Sequence, residues 1–120
     1  MCILIIGGAG LMGAGTARDL LSNLSSGVTR VIAADTNSGR LDSLKKSLPD
    51  PRLETRVFDV TDRNALLSLL KDCDLCINGV PTFAGFQMKI FEACLAAQCT
   101  YVDYGGMGVY TVQQLSLIHI

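Results

Sequence analysis

Five consecutive apolar residues, Cys2-Ile3-Leu4-Ile5-Ile6, run directly into Gly7-Gly8-Ala9-Gly10-Leu11-Met12-Gly13. A continuous apolar run suits a parallel strand covered on both faces, because neither face can carry polar groups. A glycine-rich turn behind such a strand fits few connections other than a tight strand-to-helix turn. Ala14, Ala17, Leu20, Leu21 and Leu24 then recur at helical spacing before Ser25-Ser26-Gly27.

The same alternation continues along the chain. Thr29 to Ala34 reads as a second strand stopping at Asp35, followed by a helix over about Ser38 to Leu48, with Leu41, Leu44 and Leu48 on one face. Pro49 and Pro51 end it. Leu53 to Phe58 is the third strand, and Thr61 or Asp62 can cap a short helix carrying Leu66, Leu67, Leu69 and Leu70. Asp74 to Asn78 is the fourth strand, closed by Gly79-Val80-Pro81. A helix with Phe83, Phe86, Ile90, Phe91 and Cys94 on one side precedes a fifth strand, Thr100 to Asp103. Strands alternating with helices through short connections predict an α/β fold, a doubly wound parallel sheet covered by helices on both faces.

Bulk properties narrow the function. Half the residues are apolar (49%), 18% are charged and net charge is -1, with no run of either sign. This gives no footprint for nucleic acid or an anionic membrane. The apolar N-terminal run is too short for a transmembrane span and lacks the basic lead of a signal peptide, so cytoplasmic residence is expected. Five cysteines in apolar contexts suit buried free thiols. Cys73 and Cys76 form a C-x-x-C, but Cys76 sits in a strand pattern rather than at a helix start, and zinc would need ligands beyond the single His119.

The chemistry is expected at Gly8-Ala9-Gly10-Leu11-Met12-Gly13, a G-x-G-x-x-G placed between strand and helix as in the dinucleotide-binding Rossmann fingerprint. Gly8 would permit the tight turn, Gly10 would let a pyrophosphate approach the backbone, and Gly13 would let the helix pack against the sheet. Bare N–H groups and the positive helix end would hold the phosphates. Asp35, at the end of the second strand, matches the acidic residue that accepts both ribose hydroxyls of NAD; the bland alternative is a turn or helix-cap aspartate. Arg40 lies near enough to keep NADP open, with NAD favoured. Asp59 and Val60 are expected near the adenine, and Asn78, Gly79, Val80 and Pro81 beside the nicotinamide end. Asp103 and Tyr104 are candidates to border the substrate space. Asp59 could equally cap a turn, and Pro81 start a helix.

No nucleophile–base arrangement or diagnostic carboxylate pair is visible, so no catalytic residue is assigned. Lys45, Lys46, Lys71 and Lys89 are expected to face solvent. The glycines also read as G-x-x-G-x-x-G from Gly7 through Gly10 to Gly13, the short-chain-dehydrogenase pattern. However, Tyr101, Tyr104 and Tyr110 have no lysine four residues on.

Over Met1 to about Gln114 the chain resembles the saccharopine dehydrogenase-like family, close to its lysine 6-dehydrogenases. The resemblance rests on Ile5 to Gly13, Ala17-Arg18-Asp19-Leu20, Asp74 to Pro81, and Tyr101-Val102-Asp103-Tyr104-Gly105-Gly106. It implies hydride transfer between a nicotinamide cofactor and a C–N bond of an amino acid or imine. It further implies a C-terminal substrate domain, not contained in this sequence, through which a homo-oligomer could form. On this reading residues 1–114 are the dinucleotide-binding domain. Leu115 to Ile120 match a translated sequencing-adapter end and are expected to be a non-native read-through tail. A stand-alone regulatory NAD-sensing module and an atypical short-chain-dehydrogenase-like reductase are the competing readings.

Overall fold

The computed structural model describes residues 1–22, 27–80 and 86–104, with only the backbone of Gln87. Pro81, Phe83, Leu24 and the 115–120 tail lie outside the described residues. Five strands, β1 (Cys2–Ile6), β2 (Arg30–Asp35), β3 (Leu53–Val57), β4 (Leu75–Asn78) and β5 (Thr100–Asp103), alternate with four helices, α1 (Leu11–Ser22), α2 (Ser38–Ser47), α3 (Arg63–Leu70) and α4 (Gln87–Ala97). The sheet has the order β3-β2-β1-β4-β5, and every pairing is parallel. This is the doubly wound α/β architecture expected from the sequence.

Side-chain alternation divides the core. Ile3, Ile5, Val31, Ala33 and Ile77 face α1 and α2 with Ala17, Leu21, Leu41 and Leu44. Leu4, Ile6, Ile32, Ala34 and Cys76 face α3 and α4 with Leu66, Leu70, Ile90 and Cys94. All five β1 residues are buried, as a strand central to a two-faced sheet requires. Burying each large aliphatic side chain contributes roughly 1.5–3 kcal/mol.

Local chemistry sets the boundaries. Asn37 caps α2 by accepting from Arg40 N–H, so Asp35 is not its cap. Asp62, rather than Thr61, caps α3 by accepting from Ala65 N–H. β3 is an edge strand whose second half is exposed, and it ends one residue before Phe58, where only β2 offers a partner. One expectation fails: Lys45 does not face solvent freely. Its Nζ donates to the Asp50 and Leu53 carbonyls and ties the α2–β3 turn together.

Among the described residues no helix is long and apolar enough to cross a membrane, and no group of three or more His, Cys, Asp or Glu is placed to hold a metal ion.

Candidate functional site

From β1 the chain steps to β2 on one side, while β4 lies on the other, so the topological switch point falls between β1 and β4. Ligands of open α/β sheets bind outside the strands' carboxyl ends at such a point. A cavity of about 650 Å³ opens there. This lies within the roughly 300–1,000 Å³ typical of small-molecule sites. Gly10, Leu11, Met12 and Gly13 form one wall and Asp35, Thr36 and Arg40 another. Phe58, Val60 and Phe86 supply an apolar side, with Asp59, Gly79 and Val80 completing the rim.

The glycine turn is built differently from the sequence expectation in one respect. The residue with positive φ is Gly7 (76°), not Gly8, so Gly7 makes the turn that L side chains resist. A Cβ on Gly7 would also come within 3.0 Å of the Gly79 carbonyl carbon. Gly8 is required for another reason: a Cβ there would lie 2.7 Å from the Ala33 Cβ on β2. Gly13 takes the expected packing role, since its Cβ would fall 2.3 Å from the Gly7 carbonyl oxygen. A Cβ on Gly10 would meet only that same oxygen, at 3.2 Å, and otherwise project into open space. That leaves a bare cradle suited to a close-approaching ligand.

The first α-type hydrogen bond of α1 runs from Ala14 N–H to Gly10 O (2.8 Å). The N–H groups of Leu11, Met12 and Gly13 therefore precede the intrahelical ladder and stand at the positive end of the helix beside the cavity. The donor set fits a phosphate bridge.

Asp35 holds its carboxylate at the β2 edge of the cavity. Oδ2 accepts from Ala9 N–H (3.1 Å) and Oδ1 from Asn37 N–H (3.2 Å), which fixes the group against the glycine loop. Each oxygen keeps lone-pair capacity for a hydroxyl donor. Arg40 lines the same end and makes no ion pair with a described residue. Asp59 both closes a turn and lines the cavity. It accepts from Thr61 N–H and Oγ1–H, which hold its carboxyl below the usual carboxylate range.

Of the remaining expected site residues, Gly79 and Val80 line the cavity, whereas Gly8 and Ala9 do not: Gly8 packs against Ala33, and Ala9 N–H is taken by Asp35. Asn78 is 2% exposed and turns inward: its Oδ1 accepts from Val80 N–H (3.0 Å) and its Nδ2 donates to Tyr101 (3.1 Å). It shapes the rim from beneath rather than facing the cavity. The sequence reading missed Phe58 and Phe86 as cavity walls. Phe58 could have been found from its place just past a strand's carboxyl end; Phe86, immediately before α4, belongs to no motif that would have marked it.

The family model described as the saccharopine dehydrogenase NADP binding domain matches residues 3–117. No curated protein sequence matches the chain. Among solved structures, it is similar to the apo saccharopine dehydrogenase (L-Glu forming) of Saccharomyces cerevisiae, with a TM-score of 0.72 and 21% identity over 87% of this chain and 21% of that one. It is also similar to the dTDP-glucose 4,6-dehydratase of Streptomyces venezuelae solved with NAD and TYD bound (TM-score 0.68, 22% identity, 82% of this chain and 37% of that one). A third is the NADPH-dependent quinone oxidoreductase of Escherichia coli complexed with NADPH (TM-score 0.66, 20% identity, 84% and 35%). At these identities the likenesses show the fold alone, and the chain spans about a fifth to two fifths of the proteins it superposes on. The family match is of another kind, because it runs from the first strand past the last: the chain belongs to the saccharopine dehydrogenase NADP-binding domain family, an oxidoreductase domain family.

Proposed function

We propose that the crevice binds NAD, and that the chain is the cofactor-binding part of an oxidoreductase acting on a C–N bond of an amino acid or imine. The observation that carries the cofactor reading is the pairing of three bare N–H groups at the start of α1 with the Asp35 carboxylate across one cavity. The N–H groups would hold the pyrophosphate, and Asp35 would accept from the adenosine ribose hydroxyls while repelling a 2′-phosphate. Phe58, Val60 and Phe86 would take the adenine by apolar contact. Arg40 is the residue through which NADP would be accepted.

The cofactor supplies the hydride chemistry; the protein supplies orientation and electrostatics. The C–N substrate class and a second substrate-binding domain rest on the family resemblance. The positive φ of Gly7 favours one second reading, a short-chain-dehydrogenase-like reductase, since it makes Gly7, Gly10 and Gly13 the working glycines. Against it, none of the three tyrosines has a lysine four residues on.

Titration with NADH and NADPH, read by nicotinamide fluorescence, tests the proposal. NADH should bind more tightly. Asp35→Ala should weaken NADH roughly tenfold, since hydrogen bonds to a charged group are worth about 1.5–3 kcal/mol, and should narrow the gap to NADPH. An unchanged NADH/NADPH ratio removes Asp35 from its role; no binding of either nucleotide ends the cofactor reading.

A further inference from the structure

The Tyr101-Val102-Asp103-Tyr104 segment carries much of the family resemblance yet takes no part in the nucleotide site as described. We propose that this segment is a clamp: its two tyrosines hold the Gly79–Val80 rim from opposite faces of the sheet and thereby set affinity for the nicotinamide half of the dinucleotide. The inference rests on the reading of the crevice as a nucleotide site.

On the α3/α4 face, the Tyr101 ring meets Phe91 edge-on, with centroids 5.2 Å apart. Its hydroxyl donates to Asp103 Oδ2 (2.8 Å) and accepts from Asn78 Nδ2 (3.1 Å). The order of donors matters. Asp103 takes the phenolic hydrogen, so the Tyr101 oxygen presents a lone pair to Asn78. The Asn78 amide is then obliged to direct its NH2 to Tyr101 and its oxygen to Val80 N–H (3.0 Å). Asn78 is the buried polar side chain of the described core, where a lost partner is costly. Burial, together with Asp103, pushes the Tyr101 phenol up, so it keeps its proton through the physiological range.

On the other face, Tyr104 reaches α1. Its hydroxyl is hydrogen-bonded to Thr16 Oγ1 and lies 3.4 Å from Met12 O. Its ring lies over Gly79: a Cβ there would stand 3.3 Å from Tyr104 Cε2. Gly79 N–H donates to Ile6 O (2.7 Å), which ties the rim to β1 as well.

The rim so held lies on the β4 side of the switch point, opposite Asp35. An elongated dinucleotide with its adenosine at Asp35 and its phosphates at α1 continues toward β4. Gly79 and Val80 are what its second half meets.

The test compares NADH with ADP-ribose, which lacks the nicotinamide, on the whole chain and on Tyr101→Phe and Tyr104→Phe. Each variant removes one hydroxyl and keeps the ring. The NADH Kd should rise roughly three- to tenfold in each, the scale of one hydrogen bond, while the ADP-ribose Kd stays within about twofold. Unchanged NADH binding, or equal weakening of both ligands, would overturn the clamp. Should Tyr101→Phe fail to fold, Tyr104→Phe decides, because that residue is 40% exposed. A wild-type chain that binds ADP-ribose keeps the nucleotide reading standing whatever the variants do; one that binds neither ligand overturns both inferences.

Discussion

The two ends of the sheet solve opposite problems with the same backbone. At the carboxyl end, Gly7, Gly8, Gly10, Gly13 and Gly79 strip the connections of side chains, and the N–H groups of Leu11, Met12 and Gly13 stand uncovered beside a cavity. At the amino end, side chains cover the backbone instead. Cys2 N–H donates to the Asp74 carboxylate (2.8 Å), and Arg52 places its guanidinium on Leu21 O (2.6 Å) and Val28 O (3.3 Å) while gripping Asp50. Polar groups left uncovered are open to a ligand or to water, whereas covered ones contribute to stability. Each end can therefore be broken without the other.

The largest effect is expected at Gly13, and its contrast is Gly10, three residues away. A Cβ at Gly13 would press on backbone at 2.3 Å from Gly7 O, with Gly8 Cα at 2.9 Å. Backbone cannot rotate aside, so Gly13→Ala should cost about 3 kcal/mol of stability, the upper end of overpacking penalties, and take cofactor binding with it. Gly10→Ala has open space for its methyl apart from Gly7 O. It should leave the melting temperature nearly unchanged yet weaken NADH roughly tenfold or more, about 1.4 kcal/mol, because the methyl occupies the phosphate cradle. Thermal melts and fluorescence titration of the two variants separate packing from recognition. If both variants lose stability equally, the division between the glycines is wrong.

That contrast also marks how far the sequence could be read. Strand and helix order followed from periodicity, because a two-faced parallel sheet forces continuous apolar runs such as Cys2 to Ile6. Asp35 was legible because its place at a strand's carboxyl end is set by chain topology. The glycine roles were only half legible. Which glycine needs positive φ depends on where β1 actually stops, and Gly8's requirement comes from Ala33, a residue distant in sequence. Asn78 was legible as a rim position but not in its orientation, which Tyr101 and Asp103 determine from another strand. Lys45 shows the same limit. A lysine late in a surface helix reads as solvated until the fold brings two carbonyls under it.

At the covered end, the Arg52 guanidinium beside Asp50 holds the Asp50 carboxyl down to about 2. A folded-state value below the ordinary one means the charged form favours the native state. This contribution is complete above about pH 4 and is lost as pH falls through about 2. Arg52→Ala should therefore lower the melting temperature by a few degrees at pH 7, and should also flatten the loss of stability between pH 4 and 2. Its NADH affinity should match that of the wild type, since Arg52 lies at the far end of the sheet. A change in affinity would show the two ends to be coupled.

The smallest effect concerns the five cysteines, all buried and all free. Cys2 and Cys73 bring their sulfurs to 3.6 Å, and Cys76 lies fully buried in β4. The thiol that Cys73 meets is thus Cys2, and its sulfur also donates to Leu69 O (3.2 Å). Burial pushes the Cys73 thiol up and raises Cys99 to about 11, and the contact with Cys94 together with burial raises Cys76, while that same contact lowers Cys94. Only the thiolate attacks a disulfide reagent. At pH 8 a thiol with a pKa near 11 is ionised in about one molecule per thousand. The native chain should therefore react with an aromatic disulfide reagent far more slowly than the denatured chain, in which all five thiols should titrate at once. The raised values also favour the neutral thiols of the native state, so stability should be intact below about pH 9 and decline as pH climbs toward 11. Rapid labelling of Cys73, Cys76 or Cys99 in the native protein would show that the sheet is less closed there than its packing implies, and would remove half of the contrast between the two ends.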